Sequence, residues 1–391
     1  MKYLKIALVA FCILQITQIY KACGQKIIKT VAGFSNPEGL DVKKSGIFHP
    51  MGMTTDLMGN IYFADRSNHR IRKIDVVTGK IFTIAGTGQA GFSGDGGLAT
   101  KAQLNNPYEV ALDTDNNIYI ADSFNDRIRK VDANTGIITT IAGSDNYQLD
   151  DANVPATSIG LTIPTGIAVD RFNNVYISDT HAHIIRKLNQ STGLITTIAG
   201  LKFASGYNGD GKKALETQLS YPTSLEVDPT GNLIIADHQN NRIRKLDVKK
   251  QTIITIAGGE QRDAPTKDVL ATKAWLYLPR DLAIDINGNI YFTDLGDHSL
   301  KKIDVNTHLL TIVAGGTRPT STNIGDGEVA HRALLDDPTG IAIDIHGNIF
   351  IADFGFSNIR RIEHTNQIIN TLIGGKSTFA YRGDLGDNAL A

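Results

Sequence analysis

Two groups of residues in this 391-residue chain have types and spacings that could do chemistry. The first is a set of acids, Glu109, Glu226 and Asp281, with Arg280 beside the last; they stand where the surrounding pattern calls for glycine or alanine. Carboxylates gathered out of water need a cation, a guanidinium or a proton to offset their lost hydration. These four residues are therefore candidates for a ligand or cation site, and a solvated rim with no dedicated partner is the plain alternative. The second group is histidine. His181 and His183, two apart, would share one strand face, as zinc ligands can. Two ligands leave zinc incomplete, and His69 and His298 recur at the offset of His183, so these histidines read as solvent-facing turn residues. Hydroxyls are spread along the whole chain, and no Ser/His/Asp set has a spacing that marks a triad.

Whether the acids meet depends on the strands that carry them. The stretch PYEVALDTDNNIYIADSFNDRIRKVDANTGIITTIAG, residues 107 to 143, recurs six times, with its opening proline at Pro50, Pro107, Pro164, Pro222, Pro279 and Pro338. Each copy holds four strand-length runs, in the second copy Glu109 to Leu112, Asn117 to Ala121, Arg127 to Val131 and Ile137 to Ala142, rich in Ile, Val, Tyr and Thr. The first separator is Asp-x-x-Gly/Asn-Asn, starting at Asp56, Asp113, Asp170, Asp228, Asp285 and Asp344, which is tight-hairpin chemistry. A second recurrent aspartate closes the second run, at Asp65, Asp122, Asp179, Asp237, Asp294 and Asp353. Loops this short make each copy a four-stranded antiparallel meander. One such sheet cannot bury both its faces, whereas six packed radially can. The reading is all-β, a six-bladed β-propeller with blades from about residues 50, 107, 164, 222, 279 and 338.

In a closed ring the first strands line the axis. Their pattern P-x-G-I-A-V-D puts small residues on one face by the period of two, as at Gly52, Gly166 and Gly340. Glu109, Ser224 and Asp281 break it at the glycine offset and Glu226 at the alanine offset. Acids from the second, fourth and fifth blades would then converge near one mouth of the channel.

The connectors from each TIAG run to the next proline are about 20 residues, long for loops. Asp95, Asp210 and Asp326, in their GDG motifs, are placed to cap one short helix each; a single carboxylate per loop is far from the six to eight oxygens calcium takes. The connectors at 147–161 and 259–276 diverge most, and the second holds the only tryptophan, Trp275, so contacts with a partner are expected there. The third run repeats basic residues, among them Arg72, Lys73, Arg129, Lys130, Arg244 and Lys245. Neighbouring aspartates and a net charge of −1 argue against a nucleic-acid partner.

Residues 1–24 have the order of a signal peptide: Lys2 and Lys5, an apolar run from Ile6 to Ile16, then small residues. The run is too short and too broken by Gln15 and Gln18 to span a membrane. Cleavage after Gly24 would remove both cysteines, Cys12 and Cys23, leaving no disulfide and no cysteine metal site. The mature chain, 25–391, is expected to be a secreted or periplasmic monomer. KIIKTVAG at 26–33 resembles the fourth run of a blade, so it could close the sixth blade or add outside a complete one.

The combination of P-x-G-[IL]-A-[VI]-D, GNIY-[IF]-A-D, N-x-RIRK and TIAG resembles the NHL-repeat family of β-propellers, with NHRI at 68–71, NDRI at 125–128 and NNRI at 240–243, weakening to AHII at 182–185 and DHSL at 297–300. The resemblance covers essentially all of the expected mature chain. It implies a range of functions: protein-interaction modules, RNA binders with a basic face, and relatives of lyases and lactonases with a metal at the axis. The expectation is a non-enzymatic scaffold that binds a protein or glycan through its faces. A metal-dependent hydrolase or lyase with its site at the axis is the alternative. No cofactor is expected beyond a divalent cation that the axial acids could hold.

Overall fold

The computed structural model describes residues 39–374 apart from 43–44, 147–152, 260–267 and 318–323. The expected signal peptide, the run at 26–33 and the middle of both divergent connectors lie outside the described residues.

Six antiparallel sheets follow one another along the chain, each with its four strands in sequence order. The inner strands, Pro50–Thr55, Val110–Leu112, Pro164–Val169, Pro222–Val227, Pro279–Ile284 and Pro338–Ile343, touch in cyclic order, and the first packs against the last. The ring is therefore closed, and blades two and five stand opposite each other. Blade six is completed by its own outer strand, Ile369–Gly374. Closure among the described residues is by packing and by hydrogen bonds such as Thr339 Oγ1 to the Pro50 carbonyl, 2.9 Å, and Thr55 Oγ1 to the Ile343 carbonyl, 3.0 Å. In blade two the ladder begins at Val110, one residue later than expected, because Glu109 is turned into the axis.

Each core cluster combines residues of two adjacent blades, so no blade is buried alone; Phe63 and Ile74 of blade one, for example, pack with Phe350 and Ile359 of blade six. That is the physical reason for closing a ring from sheets apolar on both sides. The Asp-x-x-Gly/Asn-Asn hairpins form as read: Asp56 Oδ1 accepts the N–H groups of Met58 and Asn60, both at 2.9 Å, around Gly59 at φ 81°. These hairpins and those between strands three and four lie on one face, here the hairpin face. The connectors and the turns between strands two and three lie on the other, the connector face.

The connectors are built in rather than draped. The last part of each pairs with the outer strand of the blade it leads into, as Leu40–Asp41, Val154–Pro155 and Val269–Leu270 and as single bridges at Leu98, Lys213 and Val329. Each outer edge is thereby covered.

Blades are also tied by a repeated staple. The residue before each inner proline has a positive φ and points its N–H at a residue of the previous blade that is itself left-handed. The donor–acceptor pairs are Asn106 to His69 Nδ1 (3.1 Å), Ile163 to Asp126 (2.7 Å), Tyr221 to His183 Nδ1 (3.2 Å), Leu278 to Asn241 (2.8 Å), Asp337 to His298 Nδ1 (3.3 Å) and, across the closure, His49 to Ser357 (3.4 Å). Here the sequence reading is corrected. His69 and His298 are half-buried and His183 is buried, and all three are acceptors in blade assembly; only His181 is exposed.

Candidate functional site: the propeller axis and its connector-face mouth

The inner strands do two repeated jobs at the axis. Thr165, Thr223 and Thr339, one residue after the proline, donate their hydroxyls to carbonyls of the next inner strand, those of Thr223, Arg280 and Pro50. Gly166 and Gly340, two after the proline, lie so close to the Thr223 and Met51 carbonyls of the next blade that a Cβ would overlap them. Thr-Gly is thus what adjacent strands need to approach. Blades one, two and five put Met51, Tyr108 and Arg280 at the threonine position, and blades two, four and five put Glu109, Ser224 and Asp281 at the glycine position.

The structure brings the latter together. Glu109 and Asp281 are buried and their carboxyls hydrogen-bond across the axis, from opposite blades. Gly52 makes this possible, since a Cβ there would occupy the place of the Glu109 carboxyl. Asp281 is held on both oxygens, Oδ1 by the Leu282 N–H at 2.9 Å and Oδ2 by the Ile341 N–H of blade six at 2.7 Å, with the Ser224 hydroxyl as a further partner. Burial and then Asp281 push Glu109 well above the usual carboxylate range. Burial also raises Asp281, but only to about 6, because those three donors favour its charged form. The donors on Asp281 favour its charged form and leave the neutral form to Glu109, an asymmetry within a pair that titrates as a unit.

This pair partitions the channel. On its hairpin side is a cavity of about 90 Å³ lined by Glu226, Thr54, Leu112 and Val169 among others. Burial and then Asp281 raise Glu226 to about 8. On the connector side is a space of only about 10 Å³ under Tyr108 and Arg280. The three acids Glu109, Glu226 and Asp281 thus line one cavity on the hairpin side, while Arg280 lies on the connector side of the pair.

The connector-face mouth was missed in the sequence at two positions, Arg66 and Tyr108. The Tyr108 ring has the Arg280 guanidinium 5.5 Å from its centroid and the Arg66 guanidinium at 4.8 Å. Phe124, half exposed, stacks beside Tyr108 at 6.4 Å and is 5.8 Å from Arg66. Two cations on one ring repel, and Arg66 lowers the pKa of Arg280 after burial does. His238, on the same rim, is lowered to about 4 by burial and by Arg280. A repeat signal existed for Arg66. At its position Ser123, Thr180 and His238 bond the carbonyl of the next inner proline, and a guanidinium in that series is the odd member.

The other candidates go elsewhere. Along the third strand the basic residues alternate. Arg72, Arg129, Arg186, Arg244, Lys301 and Arg360 are buried beside the recurrent aspartates, with pairs such as Arg186–Asp179 at 2.8 Å and Lys301–Asp294 at 2.6 Å. Lys73, Lys130, Lys187, Lys302 and Arg361 lie over Tyr62, Tyr119, Tyr176, Tyr291 and Phe350. Asp95, Asp210 and Asp326 cap no helix, which corrects the sequence reading: the 3-10 turns starting at Ala99, Ala214 and Ala330 have no side-chain cap. These aspartates bond Arg129, Arg244 and Arg360 at 2.6, 3.0 and 2.9 Å, giving each buried guanidinium its outer partner. Trp275 is half-buried on its connector and lines neither axial space. Among the described residues, the group of three whose ligand atoms all lie within 4.8 Å of one another is His298, Asp336 and Asp337 at a blade junction, not the axial acids.

The sequence profile of the Teneurin NHL domain matches residues 87–160 and 317–390. These matches and the repeat motifs support an NHL-repeat family for the chain. This NHL-repeat chain is 26% identical over 308 residues to human NHL repeat-containing protein 2, covering 69% of the chain and 42% of that protein. It is 29% identical over 307 residues to Protein SUPPRESSOR OF QUENCHING 1, chloroplastic, of Arabidopsis thaliana, covering 73% and 28%. The NHL-repeat chain thus spans less than half the length of these relatives. Among solved structures it superposes on a streptogramin B lyase with a TM-score of 0.52 and 16% identity, over 88% of this chain and 87% of that one, a likeness of fold alone.

Proposed function

We propose that this NHL propeller is a non-enzymatic binding module that recognises a partner through its connector face, and that it works after export. The observation that carries the reading is the closed axis. Glu109 and Asp281 meet across the channel, and the larger of the two spaces beside them is about 90 Å³, room for roughly three waters. A substrate held for turnover needs several times that volume. The connector face, by contrast, carries exposed or half-exposed Phe124, Tyr108 and Arg66 around the axis, with Tyr277 and Leu270 further out on a connector. Tyr and Arg in such settings are the usual anchors of protein interfaces. Export is supported by the signal-like order of residues 1–24, and no helix among the described residues is long and apolar enough to cross a membrane.

The test uses the full chain as bait in an extracellular fraction, with reciprocal capture by the tagged partner and a parallel assay of lactone and peptide turnover with added divalent metals. A saturable partner recovered in both directions, with no turnover, supports the reading. Turnover that disappears in Glu109→Gln would overturn it.

A further inference from the structure

We propose that Arg66, Tyr108 and Arg280 form a carboxylate-binding site at the connector-face mouth of the axis, which takes an Asp or Glu side chain from an acidic segment of a partner protein. The inference rests on the binding-module reading and names the chemistry of its contact.

Three observations carry it. First, all three residues stand where the repeat uses a side chain to tie one blade to the next. The threonine position is given up at Tyr108 and Arg280, and the position where Ser123, Thr180 and His238 bond a proline carbonyl is given up at Arg66. The first tie is also missing at Met51 and the second at Leu295 and Phe354, but Tyr108, Arg280 and Arg66, from blades two, five and one, meet at one place, around the Tyr108 ring.

Second, the Arg66 side chain makes no hydrogen bond or ion pair among the described residues. Its guanidinium is half-buried against Tyr108 and Phe124. The buried guanidiniums of the third strands are paired by contrast, Arg129 with both Asp122 and Asp95 and Arg244 with both Asp237 and Asp210. A guanidinium fork left open at a mouth fits a planar carboxylate, which it can bind through two parallel hydrogen bonds.

Third, the local charge is unbalanced. Arg66 and Arg280 lie within 5.5 Å of one ring centroid, while beneath them the neutral form of Glu109 is favoured. An incoming carboxylate offsets the second cation. The aromatic rim of Tyr108 and Phe124 favours a peptide, since Tyr and Arg together make the hot spots of protein interfaces.

The test is fluorescence anisotropy of a fluorescein-labelled hexaglutamate peptide with the full chain, against a hexaglutamine control. The net charge of −1 gives the whole protein no bulk attraction for the acidic probe. The expected result is salt-sensitive binding of the glutamate peptide alone, weakened about ten-fold or more in Arg66→Gln with the Tm unchanged, and partly kept in Arg66→Lys. No binding by the folded wild type, equal binding by Arg66→Gln, or equal binding of the glutamine peptide would each overturn the site. Tighter binding of an oligogalacturonate than of the peptide would overturn the assignment to a protein segment. Loss of this site with reciprocal partner capture intact leaves the binding-module reading standing, so the two fail separately.

Discussion

Glu109 of blade two and Asp281 of blade five hydrogen-bond across the propeller axis, and the two backbone N–H groups on Asp281, one to each oxygen, favour its charged form and so the proton on Glu109. The two carboxyls are therefore not equivalent. Glu109→Gln keeps a neutral donor toward Asp281 and an acceptor for the Val110 N–H, and is expected to cost less than about 1 kcal/mol. Asp281→Asn turns a donor toward an N–H group and should cost about 1–3 kcal/mol. Urea unfolding of the two variants checks this, and equal costs would mean that the proton is misplaced.

Glu226 makes the protein sensitive to base. Its pKa is raised in the fold to about 8 from an ordinary 4.5, by burial and then by Asp281. A raised group contributes stability that is complete below its unfolded value and is lost as pH rises through the folded one. The Tm difference between wild type and Glu226→Gln should therefore move against the wild type between about pH 5 and 8.5. A difference that stays constant would show that Glu226 is solvated.

The staple histidines act at the other end of the pH scale. Burial, helped by Arg66 at His69 and by His181 at His183, lowers both from the ordinary 6.5. A lowered histidine leaves stability intact above its unfolded value and removes it as pH falls below that value. Asn241 fills the same role in blade four at φ 53°, so His69→Asn with His183→Asn should keep both staples and lose less Tm than wild type between about pH 7 and 5. His183→Leu, which orphans the Tyr221 N–H, should cost about 1–3 kcal/mol at pH 7.5.

Neighbouring basic residues on the third strand should behave oppositely. Arg129→Met leaves Asp122 buried without its cation and is expected to cost about 3–5 kcal/mol. Lys130→Met removes a half-buried amine over Tyr119, 5.1 Å from the ring centroid, and should cost less than about 1 kcal/mol. Chemical denaturation of the pair measures both.

The blades were legible because their signals are local. A proline, an Asp-x-x-Gly/Asn-Asn hairpin and a closing aspartate recur within each copy, and short loops leave one way to connect the strands. What the sequence hid depends on residues of another blade or far along the chain. Asp95 reads as a helix cap because its partner Arg129 is 34 positions on, and the helix it precedes is a single 3-10 turn. His183 reads as a surface turn because its donor, the Tyr221 N–H, belongs to the next blade. Glu109 and Asp281 were recognisable as departures from glycine, but that they face each other follows only once the ring closes with blade two opposite blade five. Arg66 escaped notice because the job it abandons, a bond to the proline carbonyl of the following blade, is visible only in three dimensions.

The central claim is that residues keeping the repeat hold the fold, while those breaking it at the connector-face mouth hold the partner. The most direct measurement is the affinity of the captured partner for wild type, Arg66→Gln and Thr180→Ala, with the Tm of each protein recorded alongside. Thr180 ties blade three to the Pro222 carbonyl at 2.8 Å, whereas the Arg66 side chain makes no hydrogen bond among the described residues. The account predicts that Arg66→Gln loses affinity about ten-fold or more at an unchanged Tm and that Thr180→Ala lowers the Tm at an unchanged affinity. Full affinity in Arg66→Gln would contradict it.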